Sequence, residues 1–209
     1  MLLYYITDRS AFPGTEPQRR ARLLDKISEA AYAGVDYIQL REKDLPAREL
    51  ESLAREAAQL VRESRSKTRL LINSRTDIAL AVQADGVHLR SNDISPSDAR
   101  VTWQKASSAS QPLIAVSCHN LADVVSAQKA GADFVAFGPV FEKRGAAAAP
   151  MGIDQLRYAC RTGIPLFALG GITTENAPLC VAAGAHGIAA IRLFQESETA
   201  HIVEVLRAL

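Results

Sequence analysis

The sequence predicts an α/β fold, a single (β/α)8 TIM barrel that occupies residues 1–209. A phrase of the type Ala-Gly-x-Asp recurs about every 50 residues, and each copy separates a helix-like stretch from a short apolar run. Four more apolar runs lie between the copies, so eight candidate strands alternate with helical patterns, as in βαβ units. Eight such units use nearly the whole chain, which favours a compact barrel without an added domain. An open doubly wound sheet is the alternative, but it would normally have fewer strands and a phosphate-binding loop after the first one.

The elements follow from the spacing of apolar residues. Short, nearly continuous apolar runs indicate strands that are buried on both faces, whereas spacings of three and four indicate amphipathic helices. Residues suited to helix N-caps are Asn120, Thr173 and Thr174. The predicted strands are Leu2–Ile6, Tyr37–Leu40, Leu70–Ile72, Val87–Leu89, Leu113–Val116, Phe134–Phe137, Pro165–Leu169 and Ile188–Ile191. The predicted helices are Arg19–Tyr32, Ala47–Arg65, 75–83, 96–106, 121–130, 152–161, 174–183 and 198–208.

Charge and composition exclude several classes of function. The chain has 24 basic and 23 acidic residues, a net charge of +1, so we expect no nucleic-acid partner. No apolar run approaches the roughly 18–20 residues of a membrane span, and the N-terminus lacks the basic region of a secretory signal. The cysteines Cys118, Cys160 and Cys180 are odd in number and widely spaced. They are therefore expected to be reduced thiols in a cytoplasmic protein without a membrane partner.

A first anion site is expected after the seventh strand, because polar groups at the carboxyl ends of barrel strands form the active site. Gly170 and Gly171 stand there, before a predicted helix. Glycines let the backbone approach an oxyanion, and N–H groups at a helix start bind phosphate. The end of the eighth strand, Ile191 and Arg192, would lie beside them. A tight turn is the alternative interpretation of the glycine pair.

A second anion site is predicted after the second strand. Gln39, Arg41 and Lys43 alternate, which places their side chains on one face. Arginine offers a two-pronged donor to phosphate and lysine a point charge. The alternative is a solvated loop in which these cations pair with Glu42 and Asp44.

Histidines supply the remaining candidates for proton transfer. His119 follows Ser117 at the end of the fifth strand and could act as an acid, a base or a ligand. His88 lies within the fourth strand. Two interpretations of it stay open, a hydrogen-bonded core histidine and a residue of the active site. Cys118 is expected to point into the core, and His186 to be structural or exposed.

Read together, these strand ends resemble the thiamine phosphate synthase family, which includes the TenI-type thiazole tautomerases. The similarity covers nearly the whole chain, and the family fold is also a (β/α)8 barrel. The segments that carry it are Tyr5-Ile6-Thr7-Asp8, Gln39-Leu40-Arg41-Glu42-Lys43-Asp44, Leu71-Ile72-Asn73, Ala84-Asp85-Gly86-Val87-His88-Leu89, Val116-Ser117-Cys118-His119-Asn120, Phe137-Gly138-Pro139-Val140-Phe141 and Gly170-Gly171-Ile172-Thr173.

The resemblance implies the coupling of hydroxymethylpyrimidine diphosphate with hydroxyethylthiazole phosphate. In the family the pyrophosphate leaves first and the thiazole nitrogen captures the resulting cation, so the protein mainly positions anions and stabilises the leaving group with cations and Mg²⁺. The expected catalytic residues are His119, Ser117 and Lys43, and Ser117 also belongs to the substrate site. By position, Gln39 would contact the pyrimidine, Arg41, Lys43 and Asn73 the diphosphate, and Gly170, Gly171, Ile191 and Arg192 the thiazole phosphate.

Two segments depart from the family pattern. The family has Asn-Asp after the third strand, with the aspartate as a magnesium ligand, whereas this chain has Asn73-Ser74. We therefore expect a weakened Mg²⁺ site with Asp93 as the remaining ligand. The loop 142–150 lacks the family's Pro-Thr-x-Thr-Lys, and Lys143 or Arg144 is the candidate replacement for its lysine.

Three functions stay open at this point. The first is the synthase. The second is a thiazole tautomerase in which His119 moves a proton. The third is a barrel that binds thiazole phosphate or thiamine phosphate without turnover. The expected partners are small phosphorylated pyrimidines and thiazoles, and a homo-oligomer, since barrels of this family often associate.

Overall fold

The computed structural model describes residues 1–106, 111–142 and 149–209. Within these ranges eight parallel strands close into a barrel in sequence order, with the last strand hydrogen-bonded to the first. The predicted (β/α)8 fold is thereby confirmed. The strands are β1 (Leu2–Ile6), β2 (Tyr37–Leu40), β3 (Arg69–Asn73), β4 (Gly86–Leu89), β5 (Leu113–Cys118), β6 (Phe134–Phe137), β7 (Leu166–Leu169) and β8 (Gly187–Ala190). The helices are α1 (Glu16–Tyr32), α2 (Ala47–Glu63), α3 (Thr76–Ala81), α4 (Pro96–Ala106), α5 (Leu121–Lys129), α6 (Gly152–Cys160), α7 (Ala177–Ala182), α8 (Arg192–Gln195) and α9 (Thr199–Arg207).

Two helices begin three residues away from the predicted position: α1 begins at Glu16 rather than Arg19, and α7 begins at Ala177 rather than near residue 174. The side chain of Asn176 accepts the N–H of Thr173 at 2.8 Å, and the backbone of Thr173 accepts the N–H of Ala177. These bonds close a turn that occupies the predicted first helical residues. Thr173 caps this turn, because its Oγ1 accepts the N–H of Asn176 at 3.3 Å, although Asn176 is the residue that directly precedes α7. Thr174 is not an N-cap, whereas Asn120 caps α5 as expected.

The recurring Ala-Gly-x-Asp phrase ends a helix and begins a strand. Its glycine takes a left-handed conformation after α1, α5 and α7, with φ of +82° at Gly34, +83° at Gly131 and +99° at Gly184. Gln83 takes the same position after α3 with φ of +55°. The left-handed residue lets the chain leave the helix and turn back toward the barrel.

The last residue of each phrase accepts a hydrogen bond from a backbone N–H near the start of the preceding strand. We call these four residues the clamp residues. Each bond joins two neighbouring strands at the amino-terminal end of the barrel, which is opposite the end where the active-site loops lie. The bonds are Leu3 N to Asp36 Oδ2 at 2.7 Å, Leu70 N to Asp85 Oδ2 at 2.8 Å, Ile114 N to Asp133 Oδ2 at 2.7 Å and Leu166 N to His186 Nδ1 at 3.4 Å.

The amino-terminal half of the barrel interior is filled by an aromatic layer consisting of Tyr4, Tyr37, Phe134 and Phe167. Their ring centroids lie 4.9 to 5.8 Å apart, in tilted and edge-on arrangements. Gly187 of β8 makes room for this layer, because a Cβ there would lie 2.6 Å from the ring of Phe167. The layer closes one end of the barrel and leaves the other for polar side chains.

A larger apolar core lies between the strands and the surrounding helices. Cys118 and Cys180 are buried in it as free thiols, and Cys160 is half-buried and also free. Cys118 thus points away from the barrel interior, as predicted. None of the helices in the described ranges is long and apolar enough to cross a membrane.

Candidate active site

The carboxyl ends of β2 and β3 bring the predicted Gln39 and Asn73 together. Gln39 is buried, and its Nε2 donates to Asn73 Oδ1 at 2.9 Å. The Nδ2 of Asn73 then donates to the hydroxyl of Ser74 at 3.1 Å. These bonds fix the orientation of both amides at the mouth of the barrel.

A chain of three side chains crosses the barrel interior above the aromatic layer. Tyr4 Oη hydrogen-bonds to His88 Nδ1 at 2.8 Å, and His88 Nε2 hydrogen-bonds to Ser117 Oγ at 2.7 Å. Burial and the nearby charge of Arg41 lower the pKa of His88 to about 3, so the imidazole is neutral near pH 7. His88 is therefore a satisfied interior histidine, and it holds the hydroxyl of the predicted site residue Ser117.

The loop after β2 is fixed by Arg9. Glu42 is 4% exposed, and its carboxylate accepts bonds from Thr7 Oγ1 at 2.5 Å, Arg9 N at 3.0 Å and Arg9 Nη1 at 3.2 Å. Burial raises the pKa of Glu42 despite these bonds. Asp44 accepts Arg9 Nη1 and Nη2 at 2.6 and 2.7 Å, a two-pronged contact. The pairing of Glu42 and Asp44 with Arg41 and Lys43, considered above as an alternative, is therefore wrong.

Arg41 and Lys43 consequently face the barrel mouth without an ion pair to any described residue. The backbone N–H of Arg41 donates to Thr7 Oγ1 at 2.9 Å, which anchors the loop. The charge of Arg41, partial burial and the charge of Arg90 together lower the pKa of Lys43. Neighbouring cations held together at a strand end are typical of a site that binds an anion.

Asp93, the predicted metal ligand, is engaged by Arg90. Arg90 N donates to Asp93 Oδ2 at 2.8 Å, and Arg90 Nε and Nη2 donate to Oδ1 at 3.1 and 2.8 Å. The Ser74 hydroxyl also hydrogen-bonds to this carboxylate. Burial alone would raise the pKa of Asp93, but the bonds from Arg90 and Ser74 outweigh it and hold the pKa below its usual value.

The glycine pair after β7 forms a tight loop that ends before α7 begins. Gly170 and Gly171 have φ of +98° and +67°, and a Cβ on Gly171 would lie 2.8 Å from the Cβ of Phe141. A helix follows the pair as expected, but α7 begins at Ala177 rather than near residue 174. The amides of Gly170 and Gly171 make no hydrogen bond to another residue in the described ranges, so they are available to an oxyanion.

The end of β8 lies beside this loop because β7 and β8 are paired. Ile191 is half-buried against the inner apolar cluster, and Arg192 is exposed, with Nε 4.0 Å from Glu196 Oε1. The short helix α8 begins at Arg192, an element that the apolar periodicity did not predict. Loops after the seventh and eighth strands and a short extra helix form the common phosphate site of these barrels.

His119 stands on the rim between β5 and β6, apart from the Tyr4–His88–Ser117 chain. Its Nδ1 donates to the backbone oxygen of Gly138 at 2.7 Å, which leaves Nε2 as an acceptor at neutral charge. Its backbone N–H donates to Asp123. His119 and Ser117 are thus near in sequence but are not hydrogen-bonded to each other. The candidate cations Lys143 and Arg144 lie outside the described residues.

Comparisons with known proteins bear on this arrangement. A family model described as thiamine monophosphate synthase matches residues 3–194. The chain belongs to this family. It is 46% identical over 192 residues to a Geobacter sulfurreducens relative, covering 90% of this chain and 84% of that relative. It is 40% identical over 195 residues to the thiamine-phosphate synthase of Methanospirillum hungatei, covering 90% and 87%.

A solved structure of the thiamine phosphate pyrophosphorylase from Pyrococcus furiosus shares the architecture. It is 32% identical, with a TM-score of 0.81, and the match covers 99% of this chain and 94% of that one. The likeness therefore extends over the barrel as well as the motifs.

The resemblance implies a Mg²⁺ ion, but this chain has few suitable ligands for it at the expected place. Among the described residues no group of three or more histidine, cysteine, aspartate or glutamate side chains could hold a metal ion. At the expected place stand one carboxylate, Asp93, which is already bound by Arg90, and one neutral hydroxyl, Ser74. Mg²⁺ favours charged oxygen ligands in octahedral geometry. These residues therefore do not fit a metal held by the protein.

Sequence reasoning missed two contributors to this arrangement, Arg9 and Tyr4. Arg9 follows the first strand directly, but its partners lie 33 and 35 residues away, which no local pattern reveals. Tyr4 could have been found, because it occupies an interior position of β1 between Leu2 and Ile6, and a buried tyrosine hydroxyl needs a partner.

Proposed function

We propose that this chain is a thiamine phosphate synthase, a transferase that couples hydroxymethylpyrimidine diphosphate with hydroxyethylthiazole phosphate to give thiamine phosphate and pyrophosphate. The observation that carries the proposal is the pair of anion-receptive places on one barrel mouth. One is formed by Arg41 and Lys43, which make no ion pair with a described residue because Arg9 binds Glu42 and Asp44. The other is formed by Gly170 and Gly171. Two phosphorylated substrates need two such places.

The first step breaks the bond between the pyrimidine methylene carbon and the diphosphate oxygen. The electron pair leaves with pyrophosphate, so negative charge builds on the departing oxygens. Arg41 and Lys43 would stabilise that charge in place, without reorganisation during the step. The amides of Gln39 and Asn73, fixed by their mutual hydrogen bond, would orient the pyrimidine and the diphosphate.

The second step forms a bond from the thiazole nitrogen to the methylene carbon. No proton has to move to the nitrogen, so the protein needs chiefly to hold the thiazole at the right angle. The amides of Gly170 and Gly171 and the end of β8, at Ile191 and Arg192, are the proposed phosphate and ring contacts. Ser117, held by His88, would contact the substrates from β5.

The test is product formation by the purified full chain supplied with both substrates, assayed with Mg²⁺ and separately with EDTA. Thiamine phosphate and pyrophosphate should appear in equal amounts. Arg41→Gln should lower the rate strongly, whereas Arg157→Gln, which changes an exposed arginine on α6, should not. The absence of thiamine phosphate above the blank in both buffers would contradict the proposal.

A thiazole tautomerase is the second candidate, and the geometry of His119 favours it. Because its Nδ1 donates to Gly138, its Nε2 is free to accept a proton from a thiazole ring. A tautomerase assay should then show activity that His119→Asn abolishes. Equal activity in the variant would exclude this role, and binding of thiazole phosphate without either reaction would identify a non-catalytic barrel.

The proposal includes three further properties. Residues 1–209 act as one domain, the chain forms a homo-oligomer, and the protein works in the cytoplasm, where thiols such as Cys118 and Cys180 stay reduced. Sedimentation of the purified chain tests the second property, since a single monomeric species at assay concentrations would contradict it.

A further inference from the structure

Three cationic side chains follow two strands that are separated by one strand in the barrel. Arg41 and Lys43 follow β2, and Arg90 follows β4, with Ser74 after the intervening β3. The charges of both arginines lower the pKa of Lys43, as expected for cations that lie close together. The carboxylates of the β2 loop, Glu42 and Asp44, form ion pairs with Arg9. Arg90 forms its ion pair with Asp93.

Arg90 engages Asp93 with only part of its donors. A guanidinium carries five N–H groups in a planar fork. Nε and Nη2 contact Asp93 Oδ1, while no ion pair within the described residues uses Nη1. The side chain remains 53% exposed, so the free edge of the fork can reach a second anion.

The formal charge at these strand ends balances without a metal. In the pattern that the chain resembles, the aspartate after the third strand and the one at the position of Asp93 hold one divalent cation, and the three charges sum to zero. Here a neutral hydroxyl, one carboxylate and one guanidinium also sum to zero. Replacement of an aspartate by Ser74 removes a negative charge, and the Arg90 guanidinium neutralises the one that remains.

We propose that Arg90 takes the place of the divalent cation: it neutralises Asp93 and binds the diphosphate group together with Arg41 and Lys43, so that diphosphate binding at this mouth requires no metal ion. The inference deepens the proposed synthase function and rests on it for the identity of the substrate. It concerns binding, however, and pyrophosphate itself serves as the probe.

The first experiment is calorimetric titration of the full chain with inorganic pyrophosphate, in EDTA and in Mg²⁺. The dissociation constant in EDTA should lie within about threefold of that in Mg²⁺. Arg90→Gln should weaken binding in EDTA by about tenfold, the effect of losing a charge-assisted hydrogen bond. Arg157→Gln is the matched control, since Arg157 is also exposed and bound to an aspartate three residues away. It should bind pyrophosphate as the native chain does, and thermal unfolding checks that both variants are folded.

The second experiment follows Mn²⁺ by electron paramagnetic resonance, without substrate. The native chain should leave the spectrum of the hydrated ion unchanged. The double variant Ser74→Asp with Arg90→Gln should bind Mn²⁺, because two carboxylates then lie at adjacent strand ends; Asp tolerates the left-handed backbone of Ser74, whose φ is +58°. Binding by the native chain that Asp93→Asn removes, or loss of pyrophosphate binding in EDTA, would overturn the inference.

These outcomes separate the inference from the proposed function. If pyrophosphate binds in EDTA through Arg90 but no thiamine phosphate is formed, the synthase function fails and the metal-free site stands. If thiamine phosphate is formed only with Mg²⁺, and pyrophosphate binds only with Mg²⁺, the function stands and the role of Arg90 is wrong.

Discussion

The two ends of the barrel interior differ in kind although the same strands build both. At the amino-terminal end, Tyr37, Phe134 and Phe167 pack ring against ring. At the carboxyl end, Gln39 and His88 make hydrogen bonds between strands. On β2 the change from one to the other takes two residues, from Tyr37 to Gln39, because inward positions alternate along a strand. Stability and chemistry are thus assigned to successive inward positions of one strand.

Tyr4 belongs to both ends. Its ring is part of the aromatic layer, and its hydroxyl bonds to His88. Tyrosine suits this boundary because one end of the side chain is apolar and the other needs a hydrogen-bond partner. Substitutions on either side of Tyr4 should therefore separate effects on unfolding from effects on binding.

The largest effect is expected at the closed end. Phe134→Ala removes a buried ring from the aromatic layer and should lower the free energy of unfolding by about 3–5 kcal/mol, measured by urea denaturation. Tyr158→Ala, at an aromatic residue that is 55% exposed, is the control and should change it by less than about 0.5 kcal/mol. A loss of pyrophosphate affinity in folded Phe134→Ala without a stability change would break the division between the two ends.

The next effect is expected at His88, which bonds to Tyr4 at the boundary between the two ends, and it is a dependence of the free energy of unfolding on pH. His88 has a pKa of about 3 in the folded chain and an ordinary value near 6.5 when unfolded, so below pH 6.5 the unfolded chain binds the extra proton. The folded state should lose about 2 kcal/mol between pH 7 and pH 5 from this group, a loss that continues toward pH 3. Denaturation of His88→Gln at both pH values should lack this part of the decrease. Identical pH dependence in the variant and the native chain would show that folding does not lower the pKa of His88.

A smaller effect, on binding alone, is expected at the open end. Arg41→Gln should weaken pyrophosphate binding by about tenfold and leave the free energy of unfolding within about 0.5 kcal/mol of the native value. The pKa of His88 should rise, because the charge of Arg41 helps to lower it. Arg55→Gln, which changes an exposed arginine on α2, is the control for calorimetry. A stability loss of several kcal/mol would instead make Arg41 a structural residue.

The smallest effect is expected at Ser117. Ser117→Ala removes the partner of His88 Nε2 and should lower kcat/KM for thiamine phosphate formation by about fivefold, in keeping with one hydrogen bond. Ser126→Ala, on the exposed face of α5, should leave kcat/KM unchanged. If both variants behave alike, the Tyr4–His88–Ser117 chain serves the fold and does not serve the reaction.

The fold could be predicted because the barrel consists of local units, each with its own apolar periodicity and helix-ending glycine. The proximity of Gln39 and Asn73 followed from the same logic, since carboxyl ends of parallel strands meet at one edge. The helix α7 begins later than predicted because Pro178 has no N–H with which to continue the helical hydrogen bonds from residue 174, although Thr173 and Asn176 bond each other in the preceding turn. The role of Arg9 depends on partners in another loop, and sequence spacing contains no information about such pairs.

The clamp residues have a consequence for the open end, because a strand rises by a fixed length per residue. Gln39 stands three residues after Asp36, and His88 stands three residues after Asp85. One inserted residue within either interval would turn the polar side chain out of the barrel. The clamp residues therefore fix the position of each strand along the barrel axis. By holding the amino-terminal end of a strand, they determine how far along the barrel its polar side chain lies.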